Sequence, residues 1–542
     1  MKRVLLTCFI CVFTAAFVMA GGGQQSPAPA ASAAAPITGA PASYTLPLTA
    51  TPIKLVYAGG ESNNPEYSLA DNREVWQIIS QRTGVTLDIQ VLPGPDYNVS
   101  IRTRIAANDI PDIFWCPGII DPIGLYNDGL VQDMDTLIRR YAPNIYKVAM
   151  DSPDVLAAMT ASDGRFYFAS TESVADFSTN PRTMFYRRDW QRKLNIPDPV
   201  TIDDIFNMFV AFRDKDPNGN GKADEVPVWF QNLGNLDVLG SAFDVMSIGW
   251  NNGWSYDKNK TVRYDFVRPE FKNYLAFLNK MYNAKMVPPE VYFKSGTDTP
   301  LIAANCLGAY TNGIGALETR NGTLLKGGYI SDASDGFFWL TPPVNQVTGK
   351  RELYQKSVVN SVSGYIIGKA CKYPEVAIKW LDYVWGSREG QLMMELGIEG
   401  KTYTVTNGKI MMTDFATKNP DGLGVQQVLR TLGCIPPNLS RQTNETFYAT
   451  WTYSPFLLSV IDYAAPYYTL PCFPTFMGTP DEKAEEAKLS SDMGTYRDEM
   501  VAKFITGQTP LSEFDKYVDQ MNKLGVTRLI EINQRRINDL LK

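Results

Sequence analysis

Residues 51–92 read TPIKLVYAGGESNNPEYSLADNREVWQIISQRTGVTLDIQVL. Residues 51–58 are a short β-rich run that ends at Gly59-Gly60. Over residues 72–83, Val75, Trp76 and Ile79 recur at helical spacing, which predicts a helix with one buried face. Residues 85–92 (VTLDIQVL) alternate as a half-buried strand does. Residues 97–107 read as a second helix, and residues 113–115 as a short buried strand after Pro111. Strand, helix, strand, helix, strand is the pattern of a doubly wound α/β layer, whose ligand site lies at the carboxyl ends of the strands. Glu61 and Trp115 fall at such ends.

The rest of the chain continues in the same style. Residues 163–169 and 184–186 are β-rich, and a helix starts at Asp189. Residues 199–204 (PVTIDD) carry an N-terminal capping signature for a helix that runs to about Arg213. Helices are expected at 270–284, 373–385, 495–506, 511–525 and onward to Lys542, with strands at 336–342 and 364–367. No fixed-period repeat is visible.

Upstream, Met-Lys-Arg precedes an uncharged apolar run over residues 4–20, with Val18 and Ala20 at the −3 and −1 positions of a cleavage site. This is a secretory signal pattern, cleaved after Ala20; the alternative is an uncleaved membrane anchor. Cys8 and Cys11 lie inside the run and Gly21 follows it, so no lipobox cysteine is present. Residues 21–50 are rich in Ala, Pro, Gly and Ser without charge and read as a flexible tether. Five cysteines follow (Cys116, Cys306, Cys371, Cys434 and Cys472), an odd number without CxxC spacing, so at least one stays unpaired in a monomer.

With 542 residues the chain is long enough for two or three domains. Its 51 basic and 57 acidic residues give a net charge of −6, which argues against a nucleic-acid surface. It contains no histidine, which excludes Ser-His-Asp catalysis and most zinc sites. The 28 Tyr, 26 Phe and 10 Trp supply flat rings suited to sugar faces, although most aromatics belong in cores.

One loop carries a sharper signal. Residues 213–227 read RDKDPNGNGKADEVP, with Asp216, Asn218, Asn220, Lys222 and Asp224 at alternate positions. Side-chain oxygens at that spacing converge when the loop coils, and Gly219 and Gly221 allow the positive φ this needs. Several carboxylate and amide oxygens suit Ca²⁺, which takes about six to eight. Lys222 would offer only its main-chain carbonyl, and Glu225 adds a carboxylate. Pro227 stands where an EF-hand has its twelfth-position Glu, so a structural rather than a sensor role is expected, pinning the helix end to a strand at 226–230. The alternative is a plain polar turn, since Asp-Pro-Asn-Gly is good turn chemistry.

On these residues the chain resembles the extracellular solute-binding proteins of ABC importers. The resemblance is to the long branch with alginate-oligosaccharide-binding and lipoprotein relatives. It rests on Tyr186-Arg187-Arg188-Asp189-Trp190, on residues 201–212 and on the 216–227 loop. Further matches are YPEVAIKWLDYVWGSREG at 373–390, GIEGK at 397–401, and Phe504-Ile505-Thr506-Gly507 through Gln534. It implies a two-lobe α/β periplasmic-binding-protein fold of type II character, with hinge segments crossing between the lobes. It implies structural Ca²⁺ held by Asp216, Asn218, Asn220, Lys222, Asp224 and Glu225, and delivery of a small ligand to membrane permease subunits by an exported, monomeric carrier. Mapped onto this chain, the N-terminal lobe holds 51–167 and 360–396, and the C-terminal lobe holds 178–345 and 400–542. Crossings fall near 168–173, 350–359 and 396–402. Many relatives carry a lipid-modified cysteine where this chain has Gly21.

A cleft that captures a carbohydrate, most simply an oligosaccharide, stacks aromatics on sugar rings. Trp115 ends a strand beside Cys116-Pro117-Gly118, and Trp250 and Trp254 sit in the polar loop GWNNGWSY. Tyr310 and Asn312 lie in AYTNGIGA, with Tyr167, Glu61 and Trp451 as further candidates. An acidic sugar needs cleft arginines or lysines, and the sequence does not place them there. The alternatives are a peptide or other small-ligand binder of the same fold, or a secreted polysaccharide-degrading enzyme. For the latter a carboxylate pair such as Asp189 with Glu172 would serve, but nothing in the spacing selects it.

Overall fold

The computed structural model describes residues 40–60, 68–92, 96–118, 120–170, 183–230, 236–249, 252–288, 298–354, 362–418, 420, 423–436, 439–451 and 454–540. Helices and strands build two lobes, each around its own sheet. In the first sheet, strand Ile53–Gly60 lies between Val85–Leu92 and Ile113–Cys116 and runs parallel to both. Helices Glu74–Thr83 and Tyr97–Ala106 make the crossovers, as the alternating pattern predicts. The sheet is completed from far along the chain: Gly364–Ile367 pairs antiparallel with Ile113–Cys116 and with Ala169–Ser170. The backbones approach closely here. A Cβ on Gly364 would sit 2.2 Å from the carbonyl oxygen of Ala169, so only glycine fits. Leu55, Tyr57, Val75, Trp76, Ile79, Phe114, Ile366 and Trp380 share the core beneath this sheet.

The second sheet has the order Phe337–Trp339, Thr183–Arg187, Leu307–Asn312, Val226–Trp229. Side chains on a strand alternate between faces, and this sheet is buried on both. Met184, Tyr186 and Val228 enter one core with Phe209 and Phe212. Phe185, Tyr310, Phe337 and Trp339 enter another on the opposite face.

Helix Ile202–Asp214 starts where its capping signature predicts. The Thr201 hydroxyl accepts from Asp204 N at 3.1 Å, and Asp204 Oδ2 accepts from Thr201 N at 2.8 Å. Thr201→Ala is expected to cost about 1 kcal/mol, read as a lower denaturant midpoint at unchanged slope.

The lobe division differs from the expected one after residue 400. Ala416, Val425, Val428, Leu429, Leu432, Cys434 and Leu439 pack into the first core, whereas residues 400–542 were assigned to the second lobe. Phe447 is the next residue in a second-lobe core, so this crossing runs over residues 440–446 rather than 396–402. An apolar stripe says that a helix is buried, not against which core. The expected crossings near 168–173 and 350–359 fall partly outside the described residues. Helix Pro480–Thr506 begins 15 residues earlier than the apolar pattern suggests. Its first half is carried by Glu, Lys and Ala propensity and a Thr479–Glu482 capping box.

The 440–446 crossing is tied to the first lobe through buried polar groups. Arg441 is buried and donates to the carbonyls of Trp385 (3.1 Å) and Gly386 (3.2 Å) and to Gln391 Oε1 (3.0 Å). Gln391 Nε2 donates to the Thr443 hydroxyl at 2.8 Å. Glu395 is buried beside them; burial pushes its pKa up to about 7 against a hydrogen bond from Ser440 and the Arg441 charge. Cys116, Cys306, Cys371 and Cys434 are free thiols and buried, and Cys472 is half-buried. No helix among the described residues is long and apolar enough to cross a membrane.

Candidate functional site

A groove of about 590 Å³ opens between the two lobes. One wall is a face of helix Gly315–Lys326, whose Leu317 and Leu324 sit in a second-lobe core, leaving Gly315, Thr319, Gly322, Thr323 and Lys326 on the groove. The facing wall is the start of helix Val425–Thr431, which roots Val425, Val428 and Leu429 in the first core and offers Gln426, Gln427 and Arg430. Trp451 closes one end: a Cβ on Gly315 would lie 3.1 Å from its ring, so glycine admits the indole. The indole is 6% exposed, and its Nε1 is buried without a hydrogen-bond partner. An unpaired buried N–H is costly unless an incoming acceptor satisfies it.

The expected ligand residues divide. Asn312 ends strand Leu307–Asn312, three residues before helix Gly315–Lys326, so the same short turn carries Asn312 and the wall that meets Trp451. Trp115 is the penultimate residue of strand Ile113–Cys116 in the first lobe, half-buried, with its ring 5.1 Å from Tyr97 and its Nε1 also lacking a partner. Lys483 of the second lobe reaches this strand end. Its pKa is lowered by burial, opposed by the charges of Asp121 and Cys116. Burial pushes the Cys116 thiol up to about 12.

Three candidates are packed rather than presented. Tyr310 is fully buried, 4.7 Å from Phe337 and 5.3 Å from Phe185, because its position in the strand faces a core. Tyr167 is buried, and its hydroxyl donates to Asp163 at 2.7 Å. Trp254, in the hairpin Trp254–Tyr256/Val262–Tyr264, is half-buried with its ring tilted against Tyr264 at 4.6 Å and Phe473 at 6.1 Å. Glu61 and Trp250 lie outside the described residues. The sequence reading missed Thr319, Thr323, Gln426, Gln427 and Arg430, because a polar helix face looks the same whether it meets solvent or a groove.

The 216–225 loop coils as its glycines require. Asp216, Gly219 and Gly221 have φ of 45°, 74° and 74°. Asp216 Oδ1 accepts from the amides of Gly219 (2.9 Å) and Asn220 (3.0 Å), and Oδ2 from Gly221 (3.0 Å). The Asn218 and Asn220 amides donate to Asp224 at 3.2 and 3.1 Å. Both carboxylate oxygens of Glu225 are buried without a well-aligned partner. Burial raises the Glu225 pKa, the charges of Asp216 and Asp224 raise it further, and the nearby amides of Glu225 and Asn218 oppose them. Among the described residues no three His, Cys, Asp or Glu side chains already stand at metal-holding distance.

The family model for bacterial extracellular solute-binding proteins matches residues 68–390. The chain is 23% identical over 505 residues to the fructooligosaccharide ABC transporter substrate-binding protein FusA of Streptococcus pneumoniae, covering 85% of this chain and 86% of the relative. It is 22% identical over 475 residues to the polygalacturonan/rhamnogalacturonan-binding protein YtcQ of Bacillus subtilis, covering 84% and 86%. Its fold matches alginate-binding protein AlgQ2, solved without calcium ion, with a TM-score of 0.70 at 24% identity over 91% of this chain and 99% of that one. An EF-hand mutant of FusA bound to fructo-nystose matches with a TM-score of 0.71 at 18% identity, covering 90% and 99%.

Proposed function

The chain belongs to the bacterial extracellular solute-binding proteins, and from that membership we propose that it captures an oligosaccharide between its lobes and delivers it to an ABC importer. The observation that carries this reading is the interlobe groove, where Trp451 meets two walls of Thr and Gln side chains. Indole faces pack on sugar C–H surfaces, and hydroxyl and amide groups exchange hydrogen bonds with sugar hydroxyls. The relatives' named ligands, fructooligosaccharide and polygalacturonan, support the same class. Trp115 and Asn312, near the carboxyl ends of their strands, join the site in this reading. A ligand touching both walls is bound better by the closed form and shifts the population toward it. The permease then meets the closed form.

The carrier works as a monomer without turnover, with its signal peptide cleaved after Ala20. Its 216–225 loop holds structural calcium through Asp216, Asn218, Asn220, the Lys222 carbonyl, Asp224 and Glu225. The orphaned, buried Glu225 carboxylate fits that role, because a cation supplies the partner it lacks. Bound calcium would supply fixed positive charge; the loop's own residues hold the end of helix Ile202–Asp214 beside strand Val226–Trp229.

A thermal-shift screen tests the ligand class. Oligosaccharides are expected to raise the unfolding midpoint selectively, and stabilisation by peptides alone would overturn the carbohydrate reading. Trp451→Phe keeps a ring in its core but removes the N–H. It is expected to weaken saccharide binding by about tenfold with little change in stability, measured by calorimetry.

A further inference from the structure

We infer that the groove between helices Gly315–Lys326 and Val425–Thr431 is a subsite for the carboxylates of an acidic oligosaccharide, with Arg430 and Lys326 as the residues that select it. This inference rests on the saccharide reading above. The charged side chains lining the groove are Glu318, Lys326 and Arg430. Glu318 is already engaged in a polar interaction. The two cations are not paired: among the described residues no carboxylate lies within ion-pair distance of either. Arg430 is half-buried, and its Nε is fully buried without a hydrogen-bond partner. Among the described residues most arginines stand within ion-pair distance of a carboxylate, and Arg430 does not. A sheltered, unpartnered guanidinium edge at a groove therefore marks a missing acceptor.

Geometry sharpens the class. Arg430 stands on a helix rooted in the first-lobe core, and Lys326 on a helix rooted in the second. Lobe closure brings two like charges toward each other across a low-dielectric groove, which opposes closure. A carboxylate between them turns that repulsion into attraction on both sides. The planar guanidinium fork matches a carboxylate in two hydrogen bonds, and the flexible ammonium of Lys326 follows a second acid group as a point charge. Neutral donors and acceptors (Thr319, Thr323, Gln426 and Gln427) remain for the ring hydroxyls. A volume of about 590 Å³ is within the range of small-ligand clefts. A neutral sugar would leave both cations uncompensated on closure.

The test is calorimetric binding of a short oligogalacturonide, the same oligomer with its carboxyls methyl-esterified, and a neutral fructooligosaccharide, to the full chain and to Arg430→Gln and Lys326→Gln. The acid oligomer is expected to bind at least tenfold tighter than its ester, with affinity falling as salt rises. Arg430→Gln should cost the acid oligomer ten- to a hundredfold and the ester little. Lys326→Gln, at an exposed position that tolerates change, should cost the acid oligomer a smaller factor. Equal binding of acid and ester, or full acid affinity in both variants, overturns the carboxylate subsite and leaves the saccharide carrier standing. Tight binding of only the neutral oligomer does the same. Binding of no saccharide at all overturns both.

Discussion

Calcium added to chelator-treated protein is expected to raise its unfolding midpoint by several degrees, and Asp216→Ala is expected to abolish that rise. The loop holds three carboxylates, two amide side chains and the main-chain carbonyl of Lys222 within ten residues. Asp216 accepts from three backbone amides, and Asn218 and Asn220 turn their NH₂ groups to Asp224. Burial raises the pKa of the Glu225 carboxylate, and the like charges of Asp216 and Asp224 raise it further. A cation removes that repulsion and fills the missing contacts. Binding only to the folded chain stabilises it by about 4 kcal/mol at a free calcium level 1,000 times the dissociation constant. Since one wall of the loop is the end of a helix in the second-lobe core, the gain belongs to the fold of that lobe. Scanning calorimetry with calcium, with magnesium and with chelator checks it. Identical midpoints in all three would remove calcium from the account.

Glu395→Gln is expected to raise stability at pH 8 and to flatten its dependence on pH between about 5 and 8. The carboxyl of Glu395 is buried at the 440–446 crossing, and its pKa is pushed up to about 7 by burial, from an ordinary 4.5. A raised carboxyl pKa means that the folded chain binds the proton more tightly than the unfolded chain. Its contribution is therefore most favourable at low pH and is lost as pH rises through about 7. The displacement corresponds to roughly 3 kcal/mol at alkaline pH. The charges around it are Arg441, which favours its ionised form, and Cys434, whose thiol pKa is raised by burial and by Glu395 and Glu74. Glutamine keeps the shape of the protonated acid and cannot ionise. Asp382, raised to about 6 by burial despite accepting from Tyr44, Asn144 and Ile145, gives the wild type a further slope of the same sign. The difference between wild type and variant isolates Glu395. Parallel urea midpoints across pH 5–8 would show that burial at this crossing does not set its protonation.

The parts of the fold that depend on local pattern were readable in advance. Strand Val85–Leu92 alternates, helix Ile202–Asp214 carries its own capping box, and Gly219 and Gly221 announce positive φ. Choices made by distant contacts were not. Residues 416–439 have an apolar stripe, but only the fold decides that it faces the first core. The first half of helix Pro480–Thr506 is held by propensity and capping and has too few apolar positions to show a period. Within the site, Trp451 was only a further candidate, and its place at the end of the groove comes from the fold. Tyr310 was named from the strand AYTNGIGA and is core, because a period of two cannot say which face of a two-sided sheet meets ligand. Arg430 was invisible for the same reason: a cation on a polar helix face acquires meaning only when the facing wall belongs to the other lobe.

Small-angle X-ray scattering of the purified chain, alone and with each of a panel of acidic and neutral oligosaccharides, tests saccharide capture between the lobes most directly. The account predicts that at least one oligosaccharide lowers the radius of gyration saturably and is recovered intact. A scattering curve unchanged by every saccharide, or recovery of a shortened product, would contradict it.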